Sequence, residues 1–595
     1  MAEKKSNFEA QLFKAADKLR KNIDAAEYKH IVLGLVFLKY ISESFQEKYD
    51  QLEADEFSDP EDRDEYIAEN VFFVPEVSRR HNIHAKAKLP TIWQELDNAM
   101  EAIEKENDEL KNVLPKVYGK PNLDKTSLWE LIDLISNTEL QAENENSKDL
   151  FGRVYEYFLG EFANAEGKKW GQFYTPKSIV RLMIEMIEPY KGRVYDPACG
   201  SWGIFVMSDK FVKEHSGNSS DITIYGQESN QTTWKLSKMN LAIRNINSSF
   251  VKRNTEWSFL KDAHPDLKAD FVVANPPFNQ KDRWVDILSE DARWKYGVPP
   301  TGSANYGWIQ HMLYHLAPNG VMATVLANGS LSSNSWWEWD IRKSLIENDL
   351  VECILALPKQ LFFNTGIPAC VWFLRRERKV RNGEVLFIDA SDMWYMKDRT
   401  HRDLSDEDMA TISGTYHNWR KSDGYEDIKW FCKSAGAEEL TKHKHVLTPG
   451  RYVGIPDEID DLPAPKPDVF FVYVIKCFND SLYIWQTQDL RKRRELHVSG
   501  HWADHTKRYP PRYIIHHESF STWEEAVSRE KELKTTSGRR YIKQLIKDGK
   551  ARQAGGIPFE DKMADMTAEL KSQMKREEQM NENIKVQLEK IGFSL

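Results

Sequence analysis

The chain has 595 residues, and its 82 Lys and Arg against 92 Asp and Glu give a formal net charge of −10 at pH 7. At roughly 100–200 residues per domain, this length predicts several domains, each able to bury a core. Five cysteines with no C-x-x-C pair argue against a disulfide framework or a zinc site. With no signal peptide and no apolar run near the ~20 residues that span a bilayer, we expect a cytoplasmic protein without membrane contact.

The first 150 residues or so are predicted to form a helical domain. Apolar residues recur there at three- and four-residue steps, as in Phe8, Leu12, Ala15, Leu19, and later Ile31, Leu35, Leu38 and Ile41. These residues suggest no chemistry of their own. A packing domain is therefore the simplest interpretation.

A strand end, a loop of small residues and a helix start follow one another in the run Val194-Tyr195-Asp196-Pro197-Ala198-Cys199-Gly200-Ser201-Trp202-Gly203-Ile204-Phe205. Small residues let the backbone approach a ligand, and an acid after the next strand can hydrogen-bond ribose hydroxyls. Glu228, at the end of Ile224-Tyr225-Gly226-Gln227-Glu228, is that acid by spacing. A nucleoside cofactor is therefore expected at Asp196, Ala198, Gly200, Ser201, Gly203 and Glu228.

The tetrapeptide Asn275-Pro276-Pro277-Phe278 ends an apolar run, Phe271-Val272-Val273-Ala274, that is typical of a buried strand. Ligands of open α/β sheets bind outside the carboxyl ends of the strands, so Asn275 is expected to face that crevice. The Asn275 amide and the Pro276 carbonyl can together hold an exocyclic NH2 group. Phe278 offers a flat apolar face to a base taken out of a duplex. A proline-rich turn without chemistry is the alternative.

Residues 8 to 460 resemble the modification (M) subunit of type I restriction-modification systems, an S-adenosylmethionine-dependent adenine-N6 DNA methyltransferase. The segments Gly297-Val298-Pro299-Pro300 and Ala304-Asn305-Tyr306-Gly307-Trp308-Ile309-Gln310 also read like this family. The resemblance implies that Phe173, Tyr174, Thr175 and Pro176 bind the cofactor and that Asp262 lies near its adenine. It further implies that Asn275 and Pro276 accept hydrogen bonds from N6 of a flipped adenine.

The expected fold is therefore multi-domain α/β. We expect an N-terminal helical domain at 1–150, a Rossmann-like methyltransferase domain at 151–460, a small α/β domain at 466–552 and a C-terminal helix at 556–595. The resemblance implies duplex DNA, a specificity (S) subunit, a second M subunit and a restriction (R) subunit as partners.

The C-terminal helix is predicted from a coiled-coil-like stripe formed by Met563, Met566, Leu570, Met574, Met580, Ile584, Leu588 and Ile591. Such a tail docks on the specificity subunit in the family that the chain resembles. Packing within the chain is the alternative.

Residues 466–552 carry 18 Lys and Arg against 11 Asp and Glu, so this basic segment contrasts with an acidic remainder. Its runs Phe471-Val472-Tyr473-Val474-Ile475-Lys476 and Ser481-Leu482-Tyr483-Ile484-Trp485 resemble a GIY-YIG nuclease domain. The resemblance implies Mg²⁺ held by Glu530, water oriented by Tyr473 and Tyr483, and phosphate charge stabilised by Arg493, with His497 nearby. Because Trp485 stands where the signature has glycine, a module that only binds nucleic acid is the alternative.

Tryptophan replaces an expected glycine at eleven positions: Trp93, Trp129, Trp170, Trp202, Trp336, Trp337, Trp339, Trp394, Trp430, Trp485 and Trp502. Average glycine usage of about 7% would give roughly 42 glycines, whereas the chain has 29. We hypothesise that these codons are UGA, read as glycine in the source organism. Four other tryptophans are expected to be genuine, namely Trp234, Trp308, Trp372 and Trp419.

Three other functions are compatible with parts of the sequence. Asn-Pro-Pro-aromatic chemistry could methylate RNA or a protein amide instead of DNA. A non-catalytic DNA-binding scaffold is favoured if the tryptophans are real, because Trp202 would then fill the cofactor cleft. A self-sufficient methyltransferase-nuclease would need a target-recognition domain, and no segment remains for one.

Overall fold

The structure is a computed structural model that describes residues 2–20, 23–120, 123–137, 147–166, 175–200, 203–256, 258, 260–278, 290–333, 335–362, 368–397, 401–453, 462–463, 465–466, 468–477, 481–498 and 511–547. The chain divides into two compact units, Met1–Glu426 with Ser434–Thr448, and Asp427–Lys433 with Pro449–Leu595. The helix predicted at 556–595 lies outside the described residues. None of the described helices is both long and apolar enough for a bilayer span.

The N-terminal part is helical, as predicted. Its helices are α1 (Ala2–Leu19), α2 (Ala25–Glu53), α3 (Arg63–Ala68), α4 (Arg80–Lys86), α5 (Ile92–Glu106), α6 (Lys125–Asn137) and α7 (Ser147–Glu166). The apolar stripe of α2 is buried, and the hydroxyl of Tyr28 donates to the carbonyl of Ala16 in α1 at 2.7 Å. Ala16, rather than Ala15, is therefore the alanine on the buried face of α1.

A nine-stranded mixed sheet forms the core of the second part, in the order β11-β8-β6-β7-β5-β4-β1-β2-β3. The strands are β1 (Gly192–Asp196), β2 (Ile222–Glu228), β3 (Val251–Arg253), β4 (Ala269–Ala274), β5 (Leu316–Ala327), β6 (Val351–Ala356), β7 (Ala369–Arg375), β8 (Glu384–Asp389) and β11 (Cys432–Gly436). Strand β7 runs antiparallel to β5 and β6, whereas β1 to β5 pair in parallel. This is the predicted Rossmann-like arrangement.

Helices and one small ribbon complete this part of the chain. The helices are α8 (Lys177–Ile187), α9 (Gly203–Glu214), α10 (Gln231–Ile243), α11 (Asn305–His315), α12 (Gly329–Ser332), α13 (Trp336–Glu347), α14 (Asp406–Lys421) and α15 (Ala437–Lys442). Strands β9 (Tyr395–Met396) and β10 (Arg402–Asp403) pair with each other alone.

The strand order reverses between β1 and β4. From β1 the chain proceeds outward through β2 and β3, then returns to place β4 on the other side of β1. Asp196 ends β1, and Asn275 follows the last residue of β4. Ligands bind at such switch points, at the carboxyl ends of the strands. Both predicted motifs therefore flank the crevice where a ligand is expected.

The C-terminal unit contains a three-stranded antiparallel sheet in the order β13-β12-β14. Its elements are β12 (Phe470–Cys477), β13 (Leu482–Thr487), α16 (Leu490–Val498), β14 (Pro511–Phe520), α17 (Trp523–Lys534) and α18 (Thr536–Lys547). Alternate residues of β12 enter two separate apolar clusters, one with Tyr473 and Ile475 and one with Val472 and Val474. The central strand is thus buried on both faces, as the apolar run predicts.

Candidate active site

The loop after β1 is tied to the end of β2 by backbone hydrogen bonds. Asp196 Oδ1 accepts from the N–H of Ala198 at 2.9 Å. Glu228 accepts through Oε2 from the N–H of Gly200 at 3.1 Å and through Oε1 from the N–H of Asn230 at 2.7 Å. The structure therefore brings Asp196, Ala198, Gly200 and Glu228 together, as predicted, and Ser201 lies outside the described residues.

Burial makes the two carboxyl groups of this loop unusual. Asp196 is 1% exposed, and burial, together with the nearby charge of Glu228, raises its pKa from 3.8 to about 8 despite the opposing bond from Ala198. Burial also raises the pKa of Glu228. A positively charged ligand would stabilise the ionised form of both groups, so the site is suited to a cation.

The side chain of Asn275 contacts Thr175, which lies 100 positions earlier in the sequence. Its Nδ2 donates to Oγ1 of Thr175, 2.8 Å away. Its Oδ1 is buried, and no donor among the described residues reaches it. Buried acceptors are seldom left unpaired, so this oxygen calls for a donor from a ligand. Of the predicted cofactor segment, Phe173 and Tyr174 lie outside the described residues.

Phe278 packs at the edge of the same crevice. It is 9% exposed, and its ring meets that of Phe362 edge to face, with centroids 5.9 Å apart and an interplanar angle of 78°. Pro276 is buried and Pro277 half-buried. The tetrapeptide is thus held by a hydrogen bond before its prolines and by ring packing after them, which favours a fixed orientation of Asn275.

Asp262 is held by both of its oxygens. His315 Nε2 donates to Oδ2 at 2.7 Å, and the N–H of His264 donates to Oδ1 at 2.9 Å. Burial, the largest single effect, opposes ionisation, but the hydrogen bonds and the electrostatic effect of the neighbouring histidines together outweigh it and hold the pKa of Asp262 well below its usual range. Asp262 is therefore an ionised and rigidly placed carboxylate.

A buried glutamine, which sequence reasoning missed, connects these loops. Gln227 Oε1 accepts from Asn254 Nδ2 at 3.0 Å and from the N–H of Ala263 at 2.8 Å, and its Nε2 donates to the hydroxyl of Tyr195 at 2.7 Å. The only sequence signal was a polar residue at a strand position otherwise suited to apolar side chains. The network fixes the loop after β3 against β1 and β2.

Asp262, His311 and His315 place three potential metal ligands within 4.8 Å of one another, and they are the only such group among the described residues. The geometry does not favour a cation there. His315 Nδ1 already faces the carbonyl of Leu267 at 3.0 Å, and His311 Nδ1 faces the Arg293 guanidinium at 3.1 Å. Because a guanidinium only donates, Nδ1 of His311 accepts and that ring is neutral.

The predicted nuclease residues meet around a buried tyrosine. Tyr473 in β12 shares a 2.8 Å hydrogen bond with His497 Nε2 in α16, and the rings of Tyr483 and His497 lie 5.0 Å apart. Burial, reinforced by Arg493 and Arg494, lowers the pKa of His497 to about 3, so the imidazole is neutral. Burial raises the pKa of Tyr473 well above 10, which opposes a phenolate base.

Glu530, the predicted metal ligand, already has a cationic partner. The ammonium group of Lys534 forms an ion pair with Glu530 Oε1, one helical turn away in α17. The same ammonium lies 4.2 Å from the centroid of the Trp485 ring, which stacks on Tyr483. Lys534 thus pairs with one oxygen of the Glu530 carboxylate beside the Trp485 ring, so a metal at Glu530 would have to displace the lysine ammonium.

Comparisons with known proteins agree with this geometry. Residues 146–461 match the N-6 DNA Methylase family, residues 8–135 the HsdM N-terminal domain, and residues 469–543 the GIY-YIG catalytic domain. The methylase subunit of the type I restriction enzyme HindI of Haemophilus influenzae is 54% identical over 63% of this chain and 85% of that protein.

Two further relatives extend the similarity. The MjaIX methylase subunit of Methanocaldococcus jannaschii is 38% identical over 77% of this chain and 85% of its own length. The crystal structure of a type I methyltransferase subunit from Streptococcus thermophilus superposes with a TM-score of 0.65 at 25% identity, covering 75% of this chain and 99% of that one. The chain therefore belongs to the N-6 DNA methylases, and among them to the methylase subunits of type I restriction enzymes.

Family membership confirms the predicted function, that of an adenine-N6 DNA methyltransferase subunit with a GIY-YIG domain. The family implies S-adenosylmethionine as the methyl donor. The loop fits it, because this cofactor carries a sulfonium and an ammonium group, and Asp196 and Glu228 form a buried acidic pair. Gly200, with a positive φ of 47°, adds no side chain that would obstruct the ligand.

The described tryptophans differ in how well the bulky indole suits its burial and backbone conformation. Trp372 and Trp419 are completely buried, and their indole N–H groups donate to Ser330 and Ser434 at 3.1 and 2.8 Å. Trp430, one of the eleven suspected positions, is 44% exposed and has a φ of 69°, a conformation that suits glycine and strains a bulky side chain. Trp170, Trp202 and Trp502 lie outside the described residues.

Proposed function

We propose that the crevice between β1 and β4 methylates N6 of an adenine that has been flipped out of duplex DNA. Asn275 Oδ1 and the Pro276 carbonyl accept the two N6 hydrogens, and Phe278 stacks on the base. The supporting observation is the buried Oδ1 of Asn275, which no described donor reaches. A buried acceptor left unpaired costs about 1–3 kcal/mol, and the amino group of adenine supplies the missing donor.

Positioning provides most of the catalysis in this proposal. Accepting both N6 hydrogens directs the nitrogen lone pair away from Asn275 and Pro276, towards the reactive centre. S-adenosylmethionine supplies a methyl group that its sulfonium already activates. Correct alignment of two reactants is worth roughly 7–11 kcal/mol, so no strong general base is needed.

The cofactor is proposed to lie along the loop after β1. Asp196 and Glu228 face its positive and hydroxyl groups, Gly200 and Gly203 leave room for it, and Phe173, Tyr174, Thr175 and Pro176 are further proposed cofactor-binding residues. Asp262, ionised and fixed by His315, accepts from the amino group of the cofactor adenine. Ala198 and Ser201 complete the loop.

Protein partners belong to the same proposal. The chain acts in the cytoplasm on duplex DNA, together with a specificity subunit, a second methylase subunit and a restriction subunit. Outside the basic segment 466–552, which carries +7, the chain has a net charge of −17 (−10 − 7), which supports a need for partners because Lys and Arg provide most of the affinity for DNA phosphates. The helix predicted at 556–595 is the proposed docking segment for the specificity subunit.

Genomic DNA of the source organism provides the test, because it preserves all partners. Nucleoside mass spectrometry should detect N6-methyladenine at one sequence motif, and the methylation should disappear in a strain carrying Asn275→Ala. Asn348→Ala, which removes an exposed amide on another surface, is the matched control and should leave the methylation unchanged. Unchanged N6-methyladenine in the Asn275→Ala strain would overturn the assignment.

For the GIY-YIG domain we propose DNA binding rather than cleavage in the chain as written. The ion pair between Glu530 and Lys534 supports this role, because it neutralises the carboxylate that a divalent metal would need. The basic residues of this segment neutralise phosphates, and Arg493 beside Tyr473 is the proposed phosphate contact. A Mg²⁺ ion at Glu530 would require Lys534 to leave.

A further inference from the structure

We infer that Thr175 is a positioning residue for methyl transfer, whose hydroxyl holds the amide of Asn275 with Oδ1 turned towards the target amino group. The inference rests on the proposed role of Asn275. The two residues lie 100 positions apart in the chain, yet Asn275 Nδ2 and Thr175 Oγ1 are 2.8 Å apart. This distance is that of a good hydrogen bond.

An asparagine amide needs such a partner because its two ends have opposite hydrogen-bonding character. Rotation by about 180° exchanges Oδ1 for Nδ2, and the target amino group is itself a donor. Only the orientation with Oδ1 towards the base can accept from N6. With Oδ1 turned towards the base, Nδ2 needs an acceptor of its own, and among the described residues Thr175 Oγ1 supplies it.

The backbone of Thr175 is itself constrained. It precedes Pro176, and a residue before proline is restricted to extended conformations. Pro176 is buried and precedes α8, where its carbonyl accepts from the N–H groups of Ile179 and Val180 at 3.1 and 3.2 Å. The hydroxyl is therefore presented from a fixed helix start, which is how a positioning group maintains its geometry.

Steady-state kinetics of the full chain with its partners test the role. Thr175→Val removes the hydroxyl at nearly constant volume and should lower kcat about tenfold at saturating cofactor and DNA, which corresponds to about 1.4 kcal/mol. Thr175→Ser keeps the hydroxyl and should remain within about twofold of the wild type, as should the control Thr411→Val, whose exposed hydroxyl bonds only its own helix.

Calorimetry separates positioning from cofactor binding. The inference expects Thr175→Val to bind S-adenosylmethionine within about twofold of the wild-type Kd. It is overturned if the variant loses cofactor affinity while kcat stays normal, or if Thr175→Ser is as slow as Thr175→Val.

Side-chain amide exchange provides a readout that needs no activity. With ¹⁵N-asparagine labelling, the Nδ2 signals of Asn275 are those that vanish in Asn275→Asp. Their exchange with water should be slow in the wild type and in Thr175→Ser, and at least about tenfold faster in Thr175→Val. Equal exchange in all three would overturn the inference. Absence of methyl transfer by the wild type would instead refute the proposed function, and the exchange result would still stand.

Discussion

Glu228 accepts a hydrogen bond through Oε2 from the backbone N–H of Gly200, 3.1 Å away. The carbonyl of the same glycine accepts from the hydroxyl of Ser237 at 2.5 Å. Gly200 has a φ of 47°, where a side chain would be strained. The acid after β2 thus fixes the turn after β1, which is the loop proposed to bind the cofactor.

Cofactor affinity should depend on pH through Asp196. Burial raises its pKa to about 8, so the group is mostly protonated at pH 7 in the free protein. A cationic cofactor favours the ionised form, and affinity for S-adenosylmethionine should therefore rise by up to about tenfold per pH unit between about pH 6 and 8, then level off. Calorimetry in two buffers of different ionisation enthalpy should show release of close to one proton at pH 7.

Asp196→Asn should remove this pH dependence, whereas Asp340→Asn, at an exposed position, should preserve it. The free energy of unfolding should change with pH in the opposite direction to the cofactor affinity. Because folding raises the pKa of Asp196, its ionisation lowers the free energy of unfolding as pH rises from about 4 to 8. An affinity that stays flat from pH 6 to 8 would contradict the role assigned to Asp196.

Phe278→Ala should weaken the capture of an extrahelical base. Stacking of a base on an aromatic ring is worth about 1–3 kcal/mol. With 2-aminopurine at the target adenine, the fluorescence increase on binding should be largely lost in Phe278→Ala and preserved in Phe278→Trp.

Phe57→Ala, at a position that is 95% exposed, is the control for aromatic loss. Since Phe278 also packs on Phe362, thermal unfolding of each variant must accompany the fluorescence. A full fluorescence increase in Phe278→Ala would show that another side chain stacks on the base.

Local sequence patterns were sufficient to predict the strands that end at Asp196 and Asn275. An apolar run followed by a small-residue loop or by two prolines marks a strand end, and parallel strands present their carboxyl ends at one edge. The same logic predicted the helical N-terminal domain. These elements depend on residues close in the chain, so their pattern is visible in the sequence.

Contacts between distant residues were not predictable in this way. The partner of Asn275 lies 100 residues earlier, and the partner of Asp262 lies 53 residues later, in α11. The local sequence marks Gln227 only as a polar residue within a strand, and it does not reveal the partners of its buried network. These contacts are created by tertiary packing, which decides which of many polar residues meet.

Lys534→Ala should increase the affinity of the GIY-YIG domain for divalent metal. The lysine neutralises Glu530 in an ion pair, and its removal leaves a carboxylate that is largely buried and without a compensating cation. Calorimetry with Mn²⁺ should show weak uptake by the wild type and at least about tenfold tighter binding by Lys534→Ala.

The gain should disappear when Glu530→Gln is added to Lys534→Ala. Lys531→Ala, on the exposed face of the same helix, should behave as the wild type. Tight metal binding and cleavage of supercoiled DNA by the unaltered chain would contradict the DNA-binding role proposed for this domain.

Replacement of tryptophan by glycine should have opposite effects at positions 430 and 372. Trp430 has a φ of 69°, and a non-glycine residue held there costs of order 1–3 kcal/mol, so Trp430→Gly should raise the thermal midpoint of its unit. Trp372 is completely buried with its indole bonded to Ser330, and Trp372→Gly should destabilise by about 3–5 kcal/mol or more. Calorimetric melting of both variants measures the difference.

The hypothesis that UGA is read as glycine predicts different residues at positions 430 and 372 of the native protein. Peptide mass spectrometry of protein from the source organism should find glycine at position 430 and tryptophan at position 372, with UGA and UGG as the respective codons. Glycine at position 202 would match the glycine that the family resemblance predicts there, and glycine at position 485 would remove the ring that lies against Lys534. Tryptophan at all of these positions would refute the hypothesis. The GIY-YIG domain of the native protein would then keep the ion pair between Glu530 and Lys534.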